Sequence, residues 1–164
     1  MAAGALIHAV ERHEHRIVAQ VLARSGLSSA GLEEGGAYWI ARIDGAVAGT
    51  VGLETTGSSG LLRSLAVLPE FRRTGVARSL VAHLLDEAQR LEVEDVYLFS
   101  KEAGSFFELL GWSEISVEAV ATVLALAPQV RHYEQIGWYE DERAFSKTVP
   151  GAERRQPLGR PGPP

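Results

Sequence analysis

The order of local signals predicts a mixed α/β fold. Three observations carry it. Two strand-like runs, Ala37 to Ile43 and Ala46 to Thr55, are separated by Asp44-Gly45 alone, the pair that favours a tight type I′ hairpin. Leu61 to Val67 is a nearly continuous apolar run, as expected of a strand covered on both faces. A helix-periodic segment and a further strand then follow, so strand, loop, helix, strand and helix succeed one another and favour a parallel pair with a crossover.

Each element has a local reason. Ala5 to Val10 is short and apolar and predicts a first strand. Ile17, Val18, Val21 and Leu22 recur at helical spacing within Glu11 to Ala23, and Ser25-Gly26 ends that helix. The stretch to Gly36 reads as a loop. After the hairpin, Gly57-Ser58-Ser59-Gly60 predicts a second turn, and Pro69 closes the buried strand. Val76, Leu80, Val81, Leu84, Leu85, Ala88 and Leu91 mark one face of a helix from about Gly75 to Leu91. Asp95 to Phe99 predicts a strand, and Ala103 to Leu110 a short helix ended by Gly111. Glu118 to Ala127 reads as a helix stopped by Pro128, and Ala144 to Val149 as a last strand. Residues 1–149 are therefore expected to form one domain, and Pro150 to Pro164, rich in Pro and Gly, a mobile tail.

Composition narrows the function. The 164 residues carry 16 basic and 21 acidic side chains, a net charge of −5, so no concentrated basic face points to nucleic acid. The absence of cysteine excludes thiolate metal sites, disulfides and cysteine nucleophiles together. His13 and His15 stand two apart on a helix and diverge, while His8, His83 and His132 are isolated, so no metal site is expected. No run approaches the roughly 20 apolar residues that span a bilayer. Met1 to Ala5 lacks the charged start and apolar run of a secretory signal, and a cytoplasmic protein is expected by default. A homodimer is left open.

The chemistry concentrates in Val67-Leu68-Pro69-Glu70-Phe71-Arg72-Arg73-Thr74-Gly75-Val76-Ala77-Arg78. Gly75 puts no side chain in the way of a ligand, and the first N–H groups of the helix open toward an anion. Arg72, Arg73 and Arg78 add positive charge. The loop lacks the Gly-Lys-Ser/Thr ending of a Walker loop and the first glycine pair of a dinucleotide fingerprint. A plain strand-to-helix turn with surface arginines is the bland alternative; the order strand, proline, arginines, glycine and helix favours a pyrophosphate site.

On these residues the chain resembles the GNAT superfamily of N-acetyltransferases, whose signature Arg/Gln-x-x-Gly-x-Gly/Ala follows a strand ending Val-x-Pro. Arg72, Gly75 and Ala77 after Val67 and Pro69 match it. The resemblance implies a twisted sheet of about six or seven strands with helices on both faces, and acetyl-CoA as co-substrate. It implies that Leu65, Ala66 and Val67 hold the pantetheine arm through backbone groups, and that Arg72, Arg73, Thr74, Gly75, Val76, Ala77 and Arg78 hold the phosphates. Ala103-Gly104-Ser105-Phe106-Phe107 matches the family's Ala-x-x-Phe-Tyr stretch and puts Ser105 and Phe106 beside the thioester. Two positions depart from the family. Phe107 has no hydroxyl where a Tyr often protonates the leaving thiolate, and Ser100 stands where an Asn is often seen. Tyr133 is a candidate donor, because His132 to Trp138 echoes Phe106 to Trp112; a packed core Tyr is the alternative.

A narrower resemblance concerns the small-molecule branch that acetylates amino acids and amino-acid-like toxins, including arsenic-resistance-associated acetyltransferases and the acetylglutamate synthase domain. Gly52-Leu53-Glu54, Leu61 to Val67, Val96 to Phe99, Phe106 to Trp112 and the helical insertion at Glu118 to Val123 carry it. It implies a small primary amine as acceptor, with a peptide or protein amine, or a non-catalytic acyl-CoA sensor, as alternatives. Glu54, opposite Val51 and Leu53 by strand alternation, is the candidate base. Arg63, which alternation groups with Leu61, Leu65 and Val67, is the candidate to bind a substrate carboxylate, and so with Glu54 to form the acceptor site. An internal Arg63–Glu54 ion pair is the competing reading of both. Trp112 and Trp138 are expected to pack the core.

Overall fold

The computed structural model describes residues 4–138 and 141–152. Seven strands form one sheet in the order β1-β2-β3-β4-β5-β7-β6. In chain order these are β1 (Leu6–Ala9), β2 (Ala37–Ile43), β3 (Ala46–Thr56), β4 (Ser59–Val67), β5 (Asp95–Phe99), β6 (Ser113–Ile115) and β7 (Ala144–Thr148). The helices are α1 (His15–Arg24), α2 (Val76–Arg90), α3 (Gly104–Leu109), α4 (Val117–Val123) and α5 (Pro128–Ile136). β4 and β5 pair in parallel across α2, and the other pairs are antiparallel. The expected mixed α/β sheet with helices on both faces is what forms.

The β2–β3 hairpin turns as its sequence requires: Asp44 and Gly45 both take positive φ, 48° and 81°. Side chains then alternate between two cores. Trp39, Ala41, Val51, Leu53, Val96 and Leu98 face α2, where Leu80 and Leu84 are fully buried, together with Phe107 of α3. Each such leucine contributes about 1.5–3 kcal/mol by leaving water. Tyr38, Ile40 and Ala66 face α1 on the other side, and Leu61 and Ala144 face α4 and α5 there. Arg143 grips Glu114 of β6 with two bonds, 2.8 and 2.9 Å, and lies across the Phe145 ring, which steadies the α3–β6 corner.

Four readings of the sequence need correction. The turn after β3 is only Gly57-Ser58; Ser59 and Gly60 already pair with β5. The helix expected to Ala127 ends at Val123, and Pro128 starts a helix rather than stopping one. Proline at the first helical position removes a donor that would have no partner, which is why it suits a start. The short β6 was not anticipated; it is a three-residue edge strand made by pairing with β7. Packing also continues past residue 149 to Ala152, which is buried. The rest of the tail expected to be mobile lies outside the described residues.

Candidate active site

β4 ends at Val67, a 3-10 turn covers Pro69–Phe71, and α2 begins at Val76. Gly75 is the N-cap, with φ 84°, and a Cβ there would meet no atom within 4 Å. The backbone is therefore left-handed beside open space, the combination only glycine adopts without strain. Arg73 also takes positive φ, 63°. The first intrahelical bond runs from Ser79 N–H to Gly75 C=O at 3.0 Å, so the N–H groups of Val76, Ala77 and Arg78 have no helical acceptor. They border a cleft of about 310 Å³ whose walls include Val67, Phe71, Arg72, Arg73, Arg78 and Phe106. Arg72 is partly committed elsewhere, donating from Nε to Val67 C=O at 3.2 Å. Thr74 donates to Phe71 C=O. Neither Thr74 nor Ser105 is a wall of this cleft.

Further back along β4, two strands part. β4 and β5 pair at Ser59, Gly60 and Leu61 only, and beyond Leu61 the edge of β4 on that side is not paired with β5. A chamber of about 190 Å³ opens there. Its walls are Leu62, Arg63, Ser64 and Leu65 of β4, Leu98 and Phe99 of β5, the following Ser100, Phe107 of α3, and Gln129 and Tyr133 of α5, with Leu27, Ser28 and Ala103. The successive Phe106 and Phe107 thus border the outer cleft and the inner chamber in turn.

β4 carries a bulge at this point. Thr50 is opposite Ala66 and Gly52 opposite Arg63, so Ser64 and Leu65 face the single residue Val51. Ser64 takes φ 57°, and its C=O accepts from Thr50 Oγ1 at 2.9 Å. The extra residue breaks alternation: Leu65 and Val67 pack with Leu62 on the α2 side, whereas Arg63 shares the α4–α5 side with Leu61. The expected grouping of Arg63 with Leu65 and Val67 is corrected accordingly. Ala66 is buried against α1 and is a wall of neither the cleft nor the chamber.

Residues 34–114 match the family model of the GNAT acetyltransferase domain. The chain carries a GNAT domain. No curated protein sequence matches it. In structure it is similar to N-acetylglutamate synthase from Neisseria gonorrhoeae complexed with coenzyme A and N-acetyl-glutamate, at 18% identity and TM-score 0.69, covering 91% of this chain and 36% of that one. It therefore spans about a third of that enzyme's length. It is also similar to Rv2747 from Mycobacterium tuberculosis in complex with CoA and NLQ (18% identity, TM-score 0.67, 88% and 99% covered). A third neighbour is the ribosomal-protein-S18-alanine N-acetyltransferase from Escherichia coli (16% identity, TM-score 0.68, 89% and 94% covered). These likenesses show the fold. GNAT enzymes are acetyl-CoA-dependent acetyltransferases, and the loop amides, the open space at Gly75 and the parted strands suit that co-substrate.

Within this GNAT domain the two candidate acceptor residues meet. Arg63 Nη1 donates to Glu54 Oε2 at 2.9 Å, with both side chains 2% exposed. Arg63 also donates from Nη2 to Ala30 C=O at 2.6 Å and from Nε to Ser64 Oγ at 3.1 Å. Three of a guanidinium's five N–H groups are so engaged. Glu54 Oε1 accepts the Gln129 backbone N–H at 3.2 Å. The competing ion-pair geometry is therefore present, yet Arg63 still borders the chamber and a smaller annex of about 100 Å³ walled by Ser28, Ala30, Gln129, His132, Tyr133 and Ile136. Glu54 borders neither. Tyr133 lies edge-on to Phe99, centroids 6.0 Å apart, and stacks on Trp138 at 4.9 Å. Phe107 packs on Trp112 at 5.5 Å. Trp112 is in the core as expected, while Trp138 is only half-buried. The sequence reading missed Ser28, Ala30, Gln129 and His132; a proline at the start of α5 was the available signal. Among the described residues no group of three His, Asp or Glu side chains suits a metal, and no helix is long and apolar enough to cross a membrane.

Proposed function

We propose that this protein is an N-acetyltransferase moving acetyl from acetyl-CoA to a primary amine of a small, amino-acid-like molecule. One observation carries the reading: the part of β4 left unpaired by β5 has the amide-rich loop 72–78 and its cleft at one end and the small chamber lined by Arg63 and Tyr133 at the other. Loop amides with Arg73 and Arg78 suit the pyrophosphate, and the free β4 edge suits the pantetheine amides. The amine nitrogen attacks the thioester carbon, a backbone N–H of β4 stabilises the oxyanion, and the C–S bond breaks. The amine proton leaves to water, and the thiolate takes a proton from Tyr133, which stands across the chamber from hydroxyl-free Phe107. The two N–H groups of Arg63 not otherwise engaged suit a carboxylate on the acceptor. The volume of chamber and annex favours a small acceptor over a peptide. The protein-acetylating neighbour makes a peptide N-terminus the second class to assay.

The test is a thiol-release assay with acetyl-CoA against pooled amino acids, simple amines and short peptides, beside a thermal shift with coenzyme A. Coenzyme A should raise the melting temperature of the protein, because a ligand bound only to the native state stabilises it. Gly75→Val should abolish that shift. Release with peptides alone would overturn the substrate class. No coenzyme A shift would overturn the site.

A further inference from the structure

Glu54 is the buried charge that this reaction leaves without a part. It is 2% exposed, and each carboxylate oxygen has a partner: Arg63 Nη1 at 2.9 Å and the Gln129 backbone N–H at 3.2 Å. It borders neither the chamber nor the annex. A carboxylate enclosed in this way has no open side from which to take a proton off an ammonium ion.

What Glu54 touches is the frame of the acceptor site. Arg63 borders both cavities and, through Nε and Nη2, ties Ser64 of the bulge to Ala30 of the loop before β2. Gln129 lies in the first turn of the nine-residue α5. Its N–H is a donor without a helical acceptor, and a carboxylate there is favoured by that donor and by the helix dipole. Tyr133 is four residues further and on the same helix face, so the turn that Glu54 grips and the Tyr133 ring move as one. The distance from Arg63 to Tyr133 is thus set by one carboxylate held by both sides.

We propose that Glu54 is a positioning residue: it holds the Arg63 guanidinium and the start of α5 in register, and so fixes where the acceptor's anionic end and its amine lie. The inference rests on the reading that the acceptor sits between Arg63 and Tyr133, and it replaces the expectation that Glu54 is the base.

The test compares Glu54→Gln and Glu54→Asp by steady-state kinetics across pH and by hydrogen exchange over residues 128–136. Glu54→Gln keeps an oxygen for Gln129 but loses the charge facing Arg63. Its KM for the amine should rise about ten- to hundredfold, with KM for acetyl-CoA unchanged and both limbs of the pH profile in place. Glu54→Asp, too short to reach both partners, should give a smaller KM rise with the same profile. In both, amides of α5 should exchange faster while those of β5 do not. A loss confined to kcat in Glu54→Gln, with the acidic limb gone, would overturn the proposal in favour of a base. If Glu54→Gln does not fold, the KM split of Glu54→Asp decides. If the unaltered protein acetylates no amine, the functional reading fails, and unchanged exchange over 128–136 in the variant would separately overturn the positioning role.

Discussion

Tyr38→Phe should make this protein more stable, and increasingly so in alkali. Tyr38 is 2% exposed, and its hydroxyl is buried with no hydrogen-bond partner. The ring cannot swing toward one, because it fills the space left by Gly52: a Cβ at Gly52 would lie 2.5 Å from Tyr38 Cε1. Removing the oxygen leaves the ring and relieves an unsatisfied polar group that costs about 1–3 kcal/mol. At this chain length that corresponds to a melting temperature higher by roughly 2–10 °C at pH 7. Burial also pushes the phenol up to about 12 from 10.0, with Arg63 opposing the rise and Glu54 adding to it. The sign follows. Below pH 10 both folded and unfolded Tyr38 are protonated, and stability is present in full. Between pH 10 and about 12 the unfolded chain loses its proton first, so the native state loses on the order of 2–3 kcal/mol. The variant lacks this loss. Thermal or urea denaturation followed by circular dichroism at pH 7, 9, 10.5 and 11.5 should show the gap between variant and parent widening above pH 10. A variant less stable at pH 7 would mean that the hydroxyl has a partner, and a gap constant with pH would refute the burial argument.

Three further outcomes are expected. Arg63→Lys keeps the charge but cannot reach Glu54, Ala30 and Ser64 together; KM for carboxylate-bearing amines should rise about ten- to hundredfold with acetyl-CoA unaffected. A lower melting temperature with normal kinetics would remove Arg63 from the acceptor site. Tyr133→Phe should lower kcat by about a hundredfold or more while leaving both KM values in place, and an unchanged kcat would mean that transfer needs no acid from α5. Gly49→Ala would put a Cβ 2.6 Å from Ala66 C=O, forcing β3 from β4 and costing about 1–3 kcal/mol by denaturant titration; parental stability would refute that close approach.

Much of the site was legible because its rules are local. Asp44-Gly45 makes its hairpin, and Pro69, Gly75 and the Val76–Ala88 stripe make the strand-to-helix loop, since left-handed backbone and helix starts depend on a few neighbouring residues. The surroundings of Arg63 were less so. Pro128 reads as a stop or a start by the same local rule, and only the packing of Val130 beside Leu61 and Ala144 decides for a start. Arg63 was recognisable as a charge needing a partner, but alternation misassigned its neighbours, because a single bulge at Ser64 reverses the face of every residue after it.

The sequence by itself thus determined most of the order of elements, the strand-to-helix turn at Gly75 and the presence of a charge in the buried strand β4. Tertiary structure decided what that charge does. Arg63, Glu54 and Gln129 come from β4, β3 and α5, and Gln129 lies 75 residues from Glu54 along the chain. A buried charge takes whichever partner the packing brings within hydrogen-bond reach, and no local pattern encodes that choice. The parting of β4 and β5 is likewise a tertiary feature: their pairing stops at Leu61 although β4 runs on to Val67 and β5 to Phe99.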